Sequence, residues 1–147
     1  MKKIVIIVAP VVLLLAVGGF LFLKPKAPPP DAKALAAEPG PIYTMADPFI
    51  VNLADRDARH FAKVGIALHV SKLSASLVPP QEGKEPAKVE EDSAIRDIII
   101  GTLQTRTTDD LSTTTGRDDV KEAIRQGVNK KTDLRITEVY FTEFAIQ

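Results

Sequence analysis

The side chains best suited to metal binding are two histidines, His60 and His69, which stand nine positions apart. We place His60 in a loop and His69 on the polar face of a predicted strand. Zinc sites in proteins take three or four ligands from Cys, His and carboxylate side chains, and this spacing supplies too few. The chain has no cysteine, so thiolate metal sites and disulfide bonds are excluded. We therefore predict no metal site.

Adjacent acidic side chains are the remaining candidates for acid–base chemistry: Glu90-Glu91-Asp92, Asp109-Asp110 and Asp118-Asp119. Neighbouring residues on a helix point about 100° apart, so such groups rarely converge on one proton or metal ion. No serine has a nearby arrangement of histidine and acid, and neither a GxGxxG nor a GxxxxGK[ST] phosphate loop is present. We predict no catalytic residue, no cofactor-binding residue and no enzymatic activity.

The distribution of charge narrows the class of partner. The whole chain has a formal net charge of zero, but four lysines and no acid fall within residues 1–26. The rest of the chain is therefore mildly acidic. Nucleic-acid binding needs a basic surface, so we predict no nucleic-acid partner, and the same balance argues against adhesion to anionic lipid head groups.

An apolar segment lies near the N-terminus. Ile4 to Leu23 form an uncharged run of 20 residues, of which fifteen are Ile, Val, Leu or Phe. A helix of this length, at ~1.5 Å per residue, spans about 30 Å, the thickness of one bilayer hydrocarbon core. We predict a single transmembrane helix at 4–23, preceded by a cytoplasmic stub at 1–3.

A cleaved signal peptide is the alternative interpretation of this segment. Signal peptides usually have an apolar core of about 7–15 residues, followed closely by a small-x-small site. The best such triplet here, Ala34-Leu35-Ala36, begins eleven residues past the apolar run and beyond Pro28-Pro29-Pro30. We therefore predict a retained anchor. Two lysines on each side leave its orientation open, and the short N-terminal stub gives weak support for a cytoplasmic N-terminus.

Residues 24–44 are predicted to form a proline-rich linker, because they contain six prolines. Pro28 to Pro30 favour a stiff polyproline II conformation. The linker would hold a small domain, residues 45–147, above the membrane.

Three strands are predicted in this domain. Phe49, Val51 and Leu53 alternate with other residues in a short strand, and the charged stretch Ala54 to Arg59 is typical of a hairpin loop. A longer strand follows in which an apolar face alternates with a small, polar face: Lys63, Gly65, Ala67, His69 and Ser71. Leu134 to Ile146 is rich in β-branched and aromatic residues, which predicts a long terminal strand covered on both sides.

Two helices are predicted between the second and third strands. The first has one apolar face: Ile95, Ile98, Ile99, Thr102 and Leu103. Thr107 to Thr115 is predicted to form turns and caps, with Thr115 as the N-cap of the second helix. That helix also has one apolar face, on which Gly127 would permit close packing: Val120, Ala123, Ile124, Gly127 and Val128.

Segregated strands and helices predict an α+β domain, one sheet with two main helices on one face. A small anchored domain without chemistry is typical of a binding or assembly module. The small, polar face of the long strand is either solvent-exposed or the place where a partner or second subunit packs.

Several short segments of the chain occur in a distinctive order and spacing. The most distinctive is the chain end, Val139 to Gln147. The others are 48–53, 59–64, 67–70, 95–100, 110–113 and Gly116. Together these segments resemble the FliL family of bacterial flagellar basal-body-associated proteins.

This resemblance implies an inner-membrane protein with a periplasmic, stomatin-like C-terminal domain that tends to form homo-oligomeric rings. It also implies association with the flagellar stator, the MotA–MotB type of unit, in support of rotation, swarming and chemotactic motility. The family has no signature active-site residues to transfer. The alternative is a stomatin-like membrane scaffold that serves a different membrane complex.

Overall fold

The computed structural model describes residues 31–57, 59–80 and 88–147. The predicted stub at 1–3, the anchor at 4–23 and the first part of the linker lie outside the described residues. Within these ranges, no helix has the length and apolar character needed to cross a membrane.

Four strands and four α-helices make up the described chain, with one 3-10 helix at Lys72–Leu77. The strands are β1 (Pro39–Thr44), β2 (Phe49–Asn52), β3 (Phe61–Ser71) and β4 (Ile136–Ile146). The helices are α1 (Ala32–Ala37), α2 (Asp92–Gln104), α3 (Thr108–Ser112) and α4 (Thr114–Lys131).

The sheet is antiparallel and is built around β3, the long strand. β1 pairs with the second half of β3 and β2 with its first half, while β4 pairs with β3 from Ala62 to Val70. Because β4 faces the β3 residues that also pair with β1 and β2, the two short strands share one edge of β3. The protein is thus α+β, as the sequence predicts.

The core lies between one face of this sheet and helices α2 and α4. β3 contributes Val64, Ile66, Leu68 and Val70, all at most 1% exposed, as its alternation predicts. The predicted apolar faces of both helices are buried against them: Ile95, Ile98, Ile99 and Leu103 of α2, with Val120, Ile124 and Val128 of α4. Gly127 permits the expected close packing, since a Cβ there would lie 2.7 Å from Cγ2 of Ile98.

The end of the predicted linker belongs to the sheet. Residues 39–44 form β1 rather than a spacer, and Tyr43 is only 2% exposed. Prolines are tolerated here because β1 lies at a sheet edge, where a missing N–H costs no interior hydrogen bond. Asp31 caps α1 by accepting from the Lys33 N–H, so ordered chain begins before the predicted domain boundary at residue 45.

Helix α4 starts two residues earlier than predicted. Its N-cap is Thr113, whose hydroxyl accepts from the Gly116 N–H, and not Thr115. The stretch predicted as turns contains the short helix α3, which begins with a capping box between Thr107 and Asp110. Thr107 and Thr113 do serve as caps, as predicted. The residues between them form a helical turn rather than an irregular turn, and this helical turn buries Leu111.

The prediction that β4 is covered on both sides is wrong. β4 is an edge strand, and Glu138, Thr142, Glu143 and Ala145 are exposed. Its many apolar residues face the core side, where Phe141, Phe144 and Ile146 are partly buried. A bulge between Phe141 and Glu143 shifts the alternation, which explains why neither face reads as purely polar in the sequence.

Tyr43 joins β1 to the start of α2. Its hydroxyl donates to Oδ1 of Asp92 at 2.7 Å, and Arg96 Nε donates to Oδ2 of the same carboxylate at 2.9 Å. Burial, followed by the hydrogen bond to Asp92, raises the pKa of Tyr43 to about 12.

We expect Tyr43→Phe to lower the free energy of unfolding by about 1 kcal/mol at pH 7, the net value of one hydrogen bond. A pKa above its unfolded value of about 10 stabilises the fold below pH 10 and ceases to do so as pH rises to about 12. Urea denaturation at pH 7 to 12 should therefore show a loss of stability above pH 10 that is smaller in the variant. Equal losses in both proteins would contradict this role of Tyr43.

Candidate interaction surface

The two histidines have separate surroundings. His60 Nδ1 lies 3.6 Å from Oδ2 of Asp55, while His69 Nδ1 lies 3.2 Å from the Tyr140 hydroxyl on β4. Over the described ranges, no group of three or more His, Cys, Asp or Glu side chains could hold a metal ion. The absence of a metal site in the protein stays a prediction.

Members of the acidic groups have structural partners. The Asp110 carboxylate accepts from the backbone N–H and hydroxyl of Thr107, and these hydrogen bonds lower its pKa. Glu91 accepts from the backbone N–H groups of Asp133 and Leu134, which ties the start of α2 to the start of β4. The carboxylates therefore cap and connect elements, and the structure does not bring the acidic groups together.

Among the described residues, the helices α2 and α4 pack on one face of the sheet and leave the other face outside the core. Strand pairing gives its composition, because paired residues project to the same side. Thr44 pairs with Ala67, and Ala67 with Tyr140; Ile50 pairs with Lys63. We call this surface the open sheet face, and it consists of Ile42, Thr44, Ile50, Lys63, Gly65, Ala67, His69, Glu138, Tyr140 and Glu143.

The polar side of the open sheet face is a row across β3 and β4. Tyr140 stands between His69 and Glu138, and its hydroxyl donates to Oε2 of Glu138 at 2.7 Å. This hydrogen bond raises the pKa of Tyr140. Lys63 forms an ion pair with Glu143 one step further along the strands. The row offers hydrogen-bond donors and acceptors held on rigid strands, but it contains no nucleophile with an oriented base.

The apolar side of the open sheet face comes from β1 and β2. Ile42 is 51% exposed and Ile50 is 72% exposed. Gly65 and Ala67 of β3 lie between the two sides. Both residues have small or no side chains and are buried. Apolar side chains beside a polar, hydrogen-bonding rim are the composition of protein–protein contact surfaces.

The sequence predicts only the β3 part of this surface, as a small and polar face. Ile42 falls within the predicted linker, and Ile50 lies between the apolar strand residues Phe49 and Val51, so neither has a local signature of an exposed surface. Glu138 and Tyr140 join the surface through pairing with β3, across a sequence separation that alternation alone does not bridge.

The comparison with known families covers the sheet from Ile42 onward and both core helices. Residues 42–147 match the family model described as "Flagellar basal body-associated protein FliL". The chain belongs to the FliL family. It is also 33% identical over 124 residues to the flagellar protein FliL of Aquifex aeolicus (strain VF5), which covers 84% of this chain and 67% of that relative.

The FliL region includes every residue of the open sheet face, from Ile42 on β1 to Glu143 on β4. It also includes both core helices and the chain end. The resemblance found in the sequence is therefore confirmed, and the protein is a member of a flagellar basal-body-associated family.

Proposed function

We propose that this chain is a non-enzymatic inner-membrane protein of the flagellar basal body. Residues 4–23 anchor it, the N-terminus is cytoplasmic, and the domain lies in the periplasm. There it associates with the MotA–MotB type stator and supports flagellar rotation, swarming and chemotactic motility. The family match over residues 42–147 is the observation that carries this proposal.

The open sheet face supports a role in assembly. Its exposed isoleucines lie beside hydrogen-bonding groups on a rigid sheet, an arrangement suited to a protein partner. Within the part of the chain that the structure describes, β4 pairs only with β3, so its outer edge offers backbone groups that can bind a further strand. We propose that the domain forms homo-oligomeric rings and that the open sheet face contacts either the next subunit or the stator.

Substitution of Ile50 tests this role without disturbing the core. Ile50 is 72% exposed, so Ile50→Glu should leave the melting temperature nearly unchanged. We expect it to reduce both soft-agar spreading and recovery of the stator proteins with the solubilised protein, because it places a charge in an apolar contact. The matched control is Ile100→Glu on α2. Ile100 is 36% exposed and lies on the helix side of the sheet, away from the open sheet face.

Normal spreading and normal stator recovery with Ile50→Glu would contradict a role of this face. Recovery of a different membrane complex, with no stator protein, would favour the stomatin-like scaffold instead.

The proposed topology makes a separate prediction. Protease added to spheroplasts should digest the domain, while the protein remains in the membrane fraction after carbonate washing. A protected domain would contradict the periplasmic location, and a mature N-terminus near Ala37 would contradict the retained anchor.

A further inference from the structure

The end of the domain where the linker enters has its own surface features. Asp31, the first residue that the structure describes, is the N-cap of α1. Helix α1 spans about 9 Å at ~1.5 Å per residue, and its C-cap residue Glu38 lies against the 3-10 helix. The Lys72 N–H donates to the Glu38 carbonyl at 2.9 Å, and the two side chains form an ion pair.

Two leucines of this 3-10 helix are unusually exposed. Leu73 is 43% exposed and Leu77 is 46% exposed. Each leucine gives the fold only part of the stabilisation of a buried leucine, because much of its apolar surface remains in water. Two leucines also expose far less than the ~800 Å² per partner that a stable protein interface buries.

The length of chain before Asp31 limits how far this end can be from the membrane. Seven residues, 24–30, separate the apolar run from Asp31. A chain extends at most ~3.6 Å per residue, so these seven residues span at most about 25 Å. A fully extended segment 24–44 would reach much further from the membrane. Residues 32–37 and 39–44 are, however, folded into α1 and β1.

The charges at this end do not favour an anionic surface. Lys33 of α1, Arg125 of α4 and Arg135 line one groove beside α1, but Arg125 forms an ion pair with Glu122. Glu90 and Asp133 line a separate cleft with Leu77. A contact with a bilayer therefore depends on the two leucines and suits zwitterionic lipid.

We propose that the α1 and 3-10 helix end of the domain contacts the surface of the bilayer, with Leu73 and Leu77 inserted at the boundary between head groups and acyl chains. This inference rests on the proposed anchor at 4–23. The short tether raises the effective concentration of the bilayer at this end, so two leucines suffice for a contact that would be too weak between free molecules.

The absence of cysteine allows a direct test on the full chain. Single variants Leu73→Cys and Leu77→Cys would each carry one spin label, in protein reconstituted into phosphatidylcholine–phosphatidylethanolamine vesicles. Ile100→Cys and Gln104→Cys on α2 are the controls: both parent residues are exposed and neither belongs to the open sheet face. This end of α2 lies beside the β2–β3 loop, at the other end of β3 from Ser71, because the Ala54 N–H donates to the Arg106 carbonyl. Flotation and circular dichroism of each variant first establish membrane anchoring and folding.

We expect labels at positions 73 and 77 to collide with lipid-dissolved oxygen and to lose contact with an aqueous nickel chelate, whereas the control labels keep it. Adding Leu77→Glu to the Leu73→Cys variant should restore nickel contact at position 73. Equal nickel contact at all four sites in floating protein would overturn the inference and leave the anchor intact. Loss of both oxygen and nickel contact at positions 73 and 77, with direct spin–spin contact between labels of different molecules, would overturn it in favour of a second copy. Failure of the protein to float would overturn the anchor and the inference together.

Discussion

Removal of residues 141–147 is expected to abolish cooperative folding of the domain. These residues form the second half of β4 and pair with β3 from Ala62 to Ile66. The chain end is also fixed to the start of β3, because Phe61 and Gln147 exchange two backbone hydrogen bonds, at 2.8 and 2.9 Å.

The expected loss is large compared with the stability of a small domain. Full burial of a Phe or Ile side chain contributes about 1.5–3 kcal/mol. Phe141, Phe144 and Ile146 are partly buried, so together they contribute about 2–4.5 kcal/mol, half of the full-burial value. The truncation also removes their backbone pairing and exposes the edge of β3, while domains of this size are stable by only about 5–15 kcal/mol.

Circular dichroism and urea denaturation of a fragment comprising residues 31–147 would measure the effect, with a soft-agar assay of the full chain in cells. Shortening the segment Gln81 to Glu85, which lies outside the described residues, is the control, and we predict that it is tolerated. A truncated fragment that melts cooperatively near the temperature of the intact one, in cells that spread normally, would show that β4 is not required.

Gly116→Ala is expected to be the most damaging exchange of a single small residue. Gly116 stands at the start of α4, directly beneath the carbonyl of Asp110 in α3. An added Cβ would lie 1.8 Å from that oxygen and 2.7 Å from its carbon. Both atoms belong to the backbone, so no side-chain rotation can relieve the overlap, and the joint between α3 and α4 has to open.

We expect the free energy of unfolding to fall by about 2–4 kcal/mol, at or above the usual range for overpacking. Gly101→Ala in α2 is the matched control, because no atom lies within 4 Å of the position of its added Cβ. That exchange should stabilise the domain by about 0.5–1 kcal/mol through helix propensity alone. Urea denaturation of both variants measures the difference; similar stabilities would show that α3 shifts without cost.

What the sequence determines here is the set of elements that have a local signature. The strict alternation from Val64 to Val70 and the 3.6-residue spacing of Ile95, Ile98 and Ile99 follow from the geometry of a single strand or helix. Both predicted elements are confirmed, because the residues of a buried face recur at alternate positions of a strand or in adjacent turns of a helix. The α+β class follows from the order of these elements, and the FliL family follows from their combined spacing.

Tertiary structure decides what depends on pairing between distant segments. The sequence around Tyr43 has the prolines of a linker, and only pairing with β3 and the hydrogen bond to Asp92 make it a strand. β4 is as apolar as an interior strand, yet it is an edge, because position in a sheet depends on how many strands are available and not on composition. The bulge at Thr142 likewise arises from its register against β3.

The same distinction applies to the functional surface. The sequence predicts no catalytic or metal site, because residues able to do chemistry are few and scattered, and this stays a prediction. The open sheet face, by contrast, brings Ile42, His69 and Glu138 into one row from three separate strands. The pairing of remote strands determines which residues form that row. Local propensity does not specify which residue of β1 or β4 lies beside His69.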